Sequence, residues 1–167
     1  MKAVQVNSEL VLHVTRILVL LSKFGDQRSI KTTLEKIMLF DFFMKYPNVM
    51  IDDASLTEST SFYDYYSYYH WKPSREEYHV YLRYLTAKGL VVRNISNNEF
   101  VYQITQNGNE LTNGLDSSYS VVLKGVADHI RKHVSKLSDT KIEQEIIKRI
   151  FLKRKIQNGG DENEDIY

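Results

Sequence analysis

Residues 73–115 constrain the fold more than any other part of this chain. Residues 74–87 carry a helical pattern, with Tyr78, Tyr81, Leu82 and Leu85 on one face, and Lys88-Gly89 closes it. Two short segments follow, 90–95 and 99–105, separated by an asparagine-rich turn and therefore expected to pair as a hairpin. Gln106-Asn107-Gly108 then leads into a short helix holding Leu111 and Leu115. The order helix, hairpin, helix leaves few architectures open.

Two helices are expected upstream. The first has Ser8 as N-cap and Glu9 in the first turn, and runs through Leu10, Val11, Val14, Ile17, Leu18 and Leu21 to a stop at Gly25. Leu12, Val19 and Leu20 add apolar surface on its other faces. The second begins with the capping-box spacing Thr32-x-x-Glu35 and carries Leu34, Ile37, Met38, Leu39, Phe40, Phe42 and Phe43 up to Tyr46-Pro47. Only Glu35, Lys36, Asp41 and Lys45 are left to face water. A helix that is apolar all round must be buried all round, by its own domain or by a partner. The fold class expected from these pieces is mostly α with a small β-wing, a winged helix-turn-helix followed by a C-terminal helical arm.

Residues 1–116 would form the winged domain, interrupted by an insertion at 48–72, and 117–156 would form the arm. The arm has helical spacing at Val122, Val126, Ile130 and Val134, a cap at Asp139-Thr140, and a last helix with Ile142, Ile146, Ile150 and Phe151. Residues 124–155 hold ten basic against four acidic side chains, although the whole chain carries only +1. Residues 157–167 read as an acidic flexible tail. Within the insertion, residues 59–72 concentrate five tyrosines with Phe62 and Trp71, the only tryptophan. Such rings give large contact area at low entropic cost, but equally cover apolar helices from within.

The chain lacks cysteine, which excludes disulfides and thiolate metal sites. Among five histidines only His129 and His133 share a helical face, and no third ligand has a useful spacing, so no metal is expected. The glycines are scattered, no phosphate-cradling loop or nucleophile elbow occurs, and neither a cofactor nor catalysis is expected. The apolar run 10–21 contains His13 and Arg16 and falls short of the ~20 residues a bilayer span requires, so a soluble cytoplasmic protein is expected.

A helix-turn-helix suggests DNA readout, yet the free face of the 74–87 helix offers Glu76, Val80 and Ala87 around a single Arg83. A carboxylate there repels phosphate, and each missing cation removes a contact from the salt-dependent term that dominates binding. The candidate nucleic-acid contacts are Arg75, Arg83, Lys88 and Arg93, with Lys148, Arg149 and Lys153 for weak non-specific contact. Protein binding fits the composition better. Its candidate residues are Leu12, Val19, Leu20, Leu39 and Phe42 on the first two helices and Phe62, Tyr65, Tyr66, Tyr69 and Trp71 in the insertion.

Residues 30–47, with the stretch Leu-Glu-Lys-Ile-x-x-Phe-Asp at 34–41, followed by residues 81–91, resemble the middle-component subunits of ABC-three-component systems. The resemblance covers residues 8–115. It implies a winged-helix adaptor bridging an SMC/Rad50-like ATPase and an effector, often a nuclease, in bacterial defence loci of the Lamassu type. It supplies no catalytic motif. The partners so implied are the ATPase and the effector, with a homodimer as an additional expectation and no membrane.

Overall fold

The computed structural model describes residues 7–26, 28–53 and 73–158, leaving aside the side chains of Arg154, Ile156, Gln157 and Asn158. The candidate residues Phe62, Tyr65, Tyr66, Tyr69 and Trp71 and the tail beyond Asn158 lie outside that description. The elements are α1 (Ser8–Ser22), α2 (Leu34–Lys45), a single turn α3 (Pro47–Met50), α4 (Arg75–Ala87), strands β1 (Val91–Ser96) and β2 (Glu99–Ile104), α5 (Gln106–Asn113), α6 (Ser118–His129) running into a π-helical turn (Ile130–Val134), and α7 (Asp139–Asn158). The described residues are mostly helical, with a two-stranded antiparallel sheet.

Local chemistry sets most of the boundaries, sometimes one residue from the expected place. Asn7, not Ser8, caps α1 by accepting from the Glu9 N–H at 3.1 Å. The helix ends at Lys23 and not Gly25, because the turn that follows drives Phe24 into the core, where it stacks on Phe40 at 5.4 Å. Thr33 caps α2, while Thr32 is taken by the sheet: its hydroxyl donates to the Tyr102 carbonyl and its own carbonyl accepts from the Tyr102 N–H at 3.0 Å. Thr33 thus forms a one-residue bridge to Val101 on the outer side of β2.

The region 73–115 closely follows its sequence pattern. Ser74 caps α4, and the expected face of Tyr78, Tyr81, Leu82 and Leu85 is buried. The helix closes in a Schellman turn: the Leu90 N–H reaches the Leu85 carbonyl, the Gly89 N–H reaches Thr86, and Gly89 takes φ +69°, which a side chain would resist. β1 and β2 pair from Val91↔Ile104 to Ser96↔Glu99 around Asn97 and Asn98, both at positive φ, the mirror-image turn that suits strand twist.

The apolar girth of α1 and α2 is explained by two cores on opposite sides of them. On one side Val14, Ile17, Leu18, Leu34 and Ile37 pack against α4 and the base of the sheet. On the other, Val19, Leu20, Phe40, Phe42 and Phe43 pack against Leu123, Val126, Ile130, Ile142 and Ile146. The C-terminal helices therefore cover the faces that composition alone left open. This corrects the expectation for Val19, Leu20 and Phe42: they are at most 3% exposed and enclosed by the chain itself, so they offer no surface to a partner. Leu39 is half-buried against the same core.

The C-terminal helix expected to run on from 117 is broken by the π-helical turn. The Ser135 hydroxyl takes the Arg131 carbonyl at 2.6 Å, and its N–H reaches back one residue further, to Ile130 at 2.9 Å. Ser138, not Asp139, then caps α7 by accepting from the Lys141 N–H. No helix among the described residues is long and apolar enough to cross a membrane.

Candidate functional site

A charged cluster lies between α1, α2 and α4. Arg16 donates through Nε to Asp41 Oδ1 at 2.6 Å and through Nη2 to Oδ2 at 2.8 Å. The Tyr78 hydroxyl donates to the same Oδ2 at 2.5 Å. Asp41, expected to face water, is fully buried, and the Arg16 side chain is 7% exposed. Burial works against the Arg16 charge, but the Asp41 carboxylate outweighs it and lifts Arg16 further above its ordinary range. The sequence signal was a lone acid between Phe40 and Phe42 and a lone arginine in an apolar helix, each needing the other.

His13 completes the cluster at its edge. Arg16 Nη2 donates to His13 Nδ1 at 2.8 Å, so that nitrogen must be the acceptor and any ring proton sits on Nε2, towards Glu9 Oε1 at 3.7 Å. The ring stacks on Tyr81 at 4.8 Å. Burial first, and then the Arg16 and Lys45 charges, hold His13 below the usual histidine range. A histidine that resists protonation in the fold adds stability above that range and loses it as pH falls through it. Melts between about pH 7.5 and 5 should therefore show a falling midpoint. His13→Gln should flatten the fall in part, because His129, held low by burial and then by His133, acts in the same direction. An equally steep fall in His13→Gln would remove His13 from the account.

Above this cluster runs a groove of about 770 Å³. One wall is the α1 stripe Glu9, Leu12, His13 and Arg16, and the other is the α6 stripe Tyr119, Val122, Leu123 and Val126. Residues 44–47 and the α4 residues Glu77 and Tyr81 complete the lining. Leu12 is 51% exposed, Tyr119 47% and Val122 37%, so the apolar walls rise into solvent. A smaller cavity of about 170 Å³, bordered by Pro73 and Ser74, shares His13, Lys45, Glu77 and Tyr81 with it. Lys45 is half-buried there, and burial lowers its pKa. Of the sequence-predicted contacts on α1 and α2, only Leu12 lines this groove; Tyr119, Val122 and Lys45 went unrecognised, since nothing local marks α6 as facing α1.

A second groove, of about 410 Å³, separates α4 from the sheet and is lined by His79, Leu82, Arg83, Thr86, Ala87, Arg93 and Tyr102. It brings together two of the candidate nucleic-acid contacts. The Arg93 guanidinium lies over the Phe100 ring at 4.4 Å, and Arg83 is exposed with no ion pair among the described residues. The others are scattered or spent. Arg75 is paired with Glu35, and Lys88 sits over the Tyr84 ring at 5.6 Å. Arg149 donates to both Asp52 oxygens at 3.1 Å and to Glu145 at 2.7 Å, while Lys148 and Lys153 lie on α7 beside the half-exposed Phe151 and Leu152. Val80, Ile95 and Phe100 are each more than half exposed around the wing, so its surface is apolar as well as basic. The His129 and His133 rings lie 4.7 Å apart, and among the described residues no three potential metal ligands cluster.

Comparison with known proteins places these surfaces in context. The family model described as ABC-three component (ABC-3C) system Middle Component 2 matches residues 6–155. The match extends through α6 and most of α7, beyond the residues 8–115 that carry the resemblance in the sequence, and so takes in the helices that complete the shared core. No curated protein and no solved structure matches the chain.

Proposed function

Because the chain belongs to the Middle Component 2 family of ABC-three component systems, we propose that it is a non-enzymatic adaptor that holds an SMC/Rad50-like ATPase and an effector together in a Lamassu-type defence complex. Membership in a multi-component system implies partner subunits; the identity of those partners and the bridging role are our reading. One observation carries it: α1 and α6, whose inner faces are buried in the shared core, keep between them an open groove with apolar walls at Leu12, Tyr119 and Val122. Exposed apolar concavity of this kind costs solubility and is kept where a partner covers it. We read the framework as a winged helix, from the order α1, the Thr33 bridge, α2, α4 and the β1–β2 hairpin.

Co-expression with the ABC subunit and the third component from the same locus tests the proposal. The three should elute together. Elution of the chain alone, with both other components folded, would end the adaptor reading.

The α4–wing groove favours a second reading, a winged-helix DNA-binding regulator, because Arg83 and Arg93 border one cavity. A salt series on a short duplex separates the two. A regulator would bind steeply, and Arg83→Ala and Arg93→Ala would each reduce the slope by about one. The adaptor reading expects weak binding with a slope that neither substitution changes.

A further inference from the structure

We propose that the groove between α1 and α6 receives a two-turn amphipathic helical segment of a partner subunit, which lays an apolar stripe between Leu12 and Val122 and sets a carboxylate on Lys45. This rests on the adaptor reading and gives it a place and a chemistry. Each wall is one helical stripe at i, i+3, i+4, i+7 spacing, from Glu9 to Arg16 on α1 and from Tyr119 to Val126 on α6. Seven residues of helix rise about 10 Å, so the groove accommodates about two turns. Side chains on two such stripes form ridges that a third helix can enter, the geometry by which grooves capture amphipathic segments. The half-exposed walls favour that occupant over a small molecule, which a pocket would surround.

Charge selects the sign of the segment. Lys45 lines both the groove and the smaller cavity beside it. Among the described residues no carboxylate comes within ion-pair distance of its ammonium group, which lies 5.8 Å from the centre of the Tyr46 ring. Asp41, Glu77 and Glu9 act on this half-buried cation only from beyond ion-pair distance, so a carboxylate brought to it would make its first direct ion pair, and Glu9 and Glu77 on the rim suit basic residues flanking that carboxylate. A second copy of this chain fits less well. The exposed apolar surface of its α7, at Phe151 and Leu152, is bordered by Lys148 and Lys153 and would bring cations to Lys45.

The test uses the full chain co-expressed with the ABC subunit and the third component, carrying a photo-crosslinking phenylalanine at position 12 or 122, with position 95 on the wing as a control. Both groove positions should crosslink to one segment of a single partner, with apolar residues at helical spacing and at least one acid. Val122→Asp should abolish co-purification. Lys45→Glu should weaken the purified complex at least about tenfold, and Lys45→Gln less, with melting temperatures of the free variants close to that of the parent. Undiminished assembly of Val122→Asp, or crosslinks from position 12 to a second copy, would overturn the groove assignment and leave the adaptor reading standing. Failure of the unmodified chain to assemble at all would overturn both.

Discussion

Asp41→Ala is expected to lower folding stability by about 3–5 kcal/mol, read as a shift in the urea midpoint at constant slope. The substitution leaves the Arg16 guanidinium charged in a site where its side chain is 7% exposed, and removes the acceptor of the Tyr78 hydroxyl. The uncompensated charge is the larger cost, because a lost neutral donor is worth only about 1–3 kcal/mol. Tyr78→Phe, which spares the ion pair, should therefore cost clearly less than Asp41→Ala. The paired replacement Arg16→Met with Asp41→Leu should recover most of the loss, since apolar groups of similar volume can substitute for a buried pair. A cost under about 1 kcal/mol for Asp41→Ala would mean that water reaches the cluster.

The cluster also shows where the sequence could and could not be read. Residues 74–105 were legible because every signal there is local: the Ser74 cap, the face spacing of α4, the Gly89 stop and the Asn97-Asn98 turn lie within a few residues of what they control. Asp41 was misread because its partner is 25 positions away, and helical periodicity has no means of distinguishing a solvated acid from one enclosed with Arg16. The same distance effect hid the groove. That α1 and α2 must be covered on all sides was evident from Val19, Leu20 and Phe42, but whether the cover was intramolecular depended on Leu123, Ile130 and Ile146, a hundred residues later. Once those helices supply the cover, the large apolar side chains of α1 and α2 still exposed are Val11 and Leu12 alone.

Gly108→Ala separates local propensity from packing, because the two predict opposite signs. Gly108 lies inside α5, where alanine is worth about 1 kcal/mol over glycine, so propensity alone predicts a more stable protein. A Cβ at this position, however, would stand 2.4 Å from the Leu90 carbonyl oxygen and 2.6 Å from Ile104 Cγ1. The Ile104 side chain can turn away; the carbonyl is fixed, because it also accepts from the Thr105 N–H at 3.0 Å and so joins the two ends of the hairpin. Relief requires α5 to move off the base of the sheet, straining the Thr105 hydroxyl that accepts from the Gly108 N–H and donates to the Gly89 carbonyl. Overpacking of this kind costs about 1–3 kcal/mol, enough to reverse the propensity gain. Gly114→Ala is the control: its nearest atoms lie at 3.5 Å and beyond and its backbone is right-handed, so it should be neutral or slightly stabilising. A Gly108→Ala protein as stable as the Gly114→Ala one would show that α5 does not seat against Leu90, and that the wing is not held to the helical body through this contact.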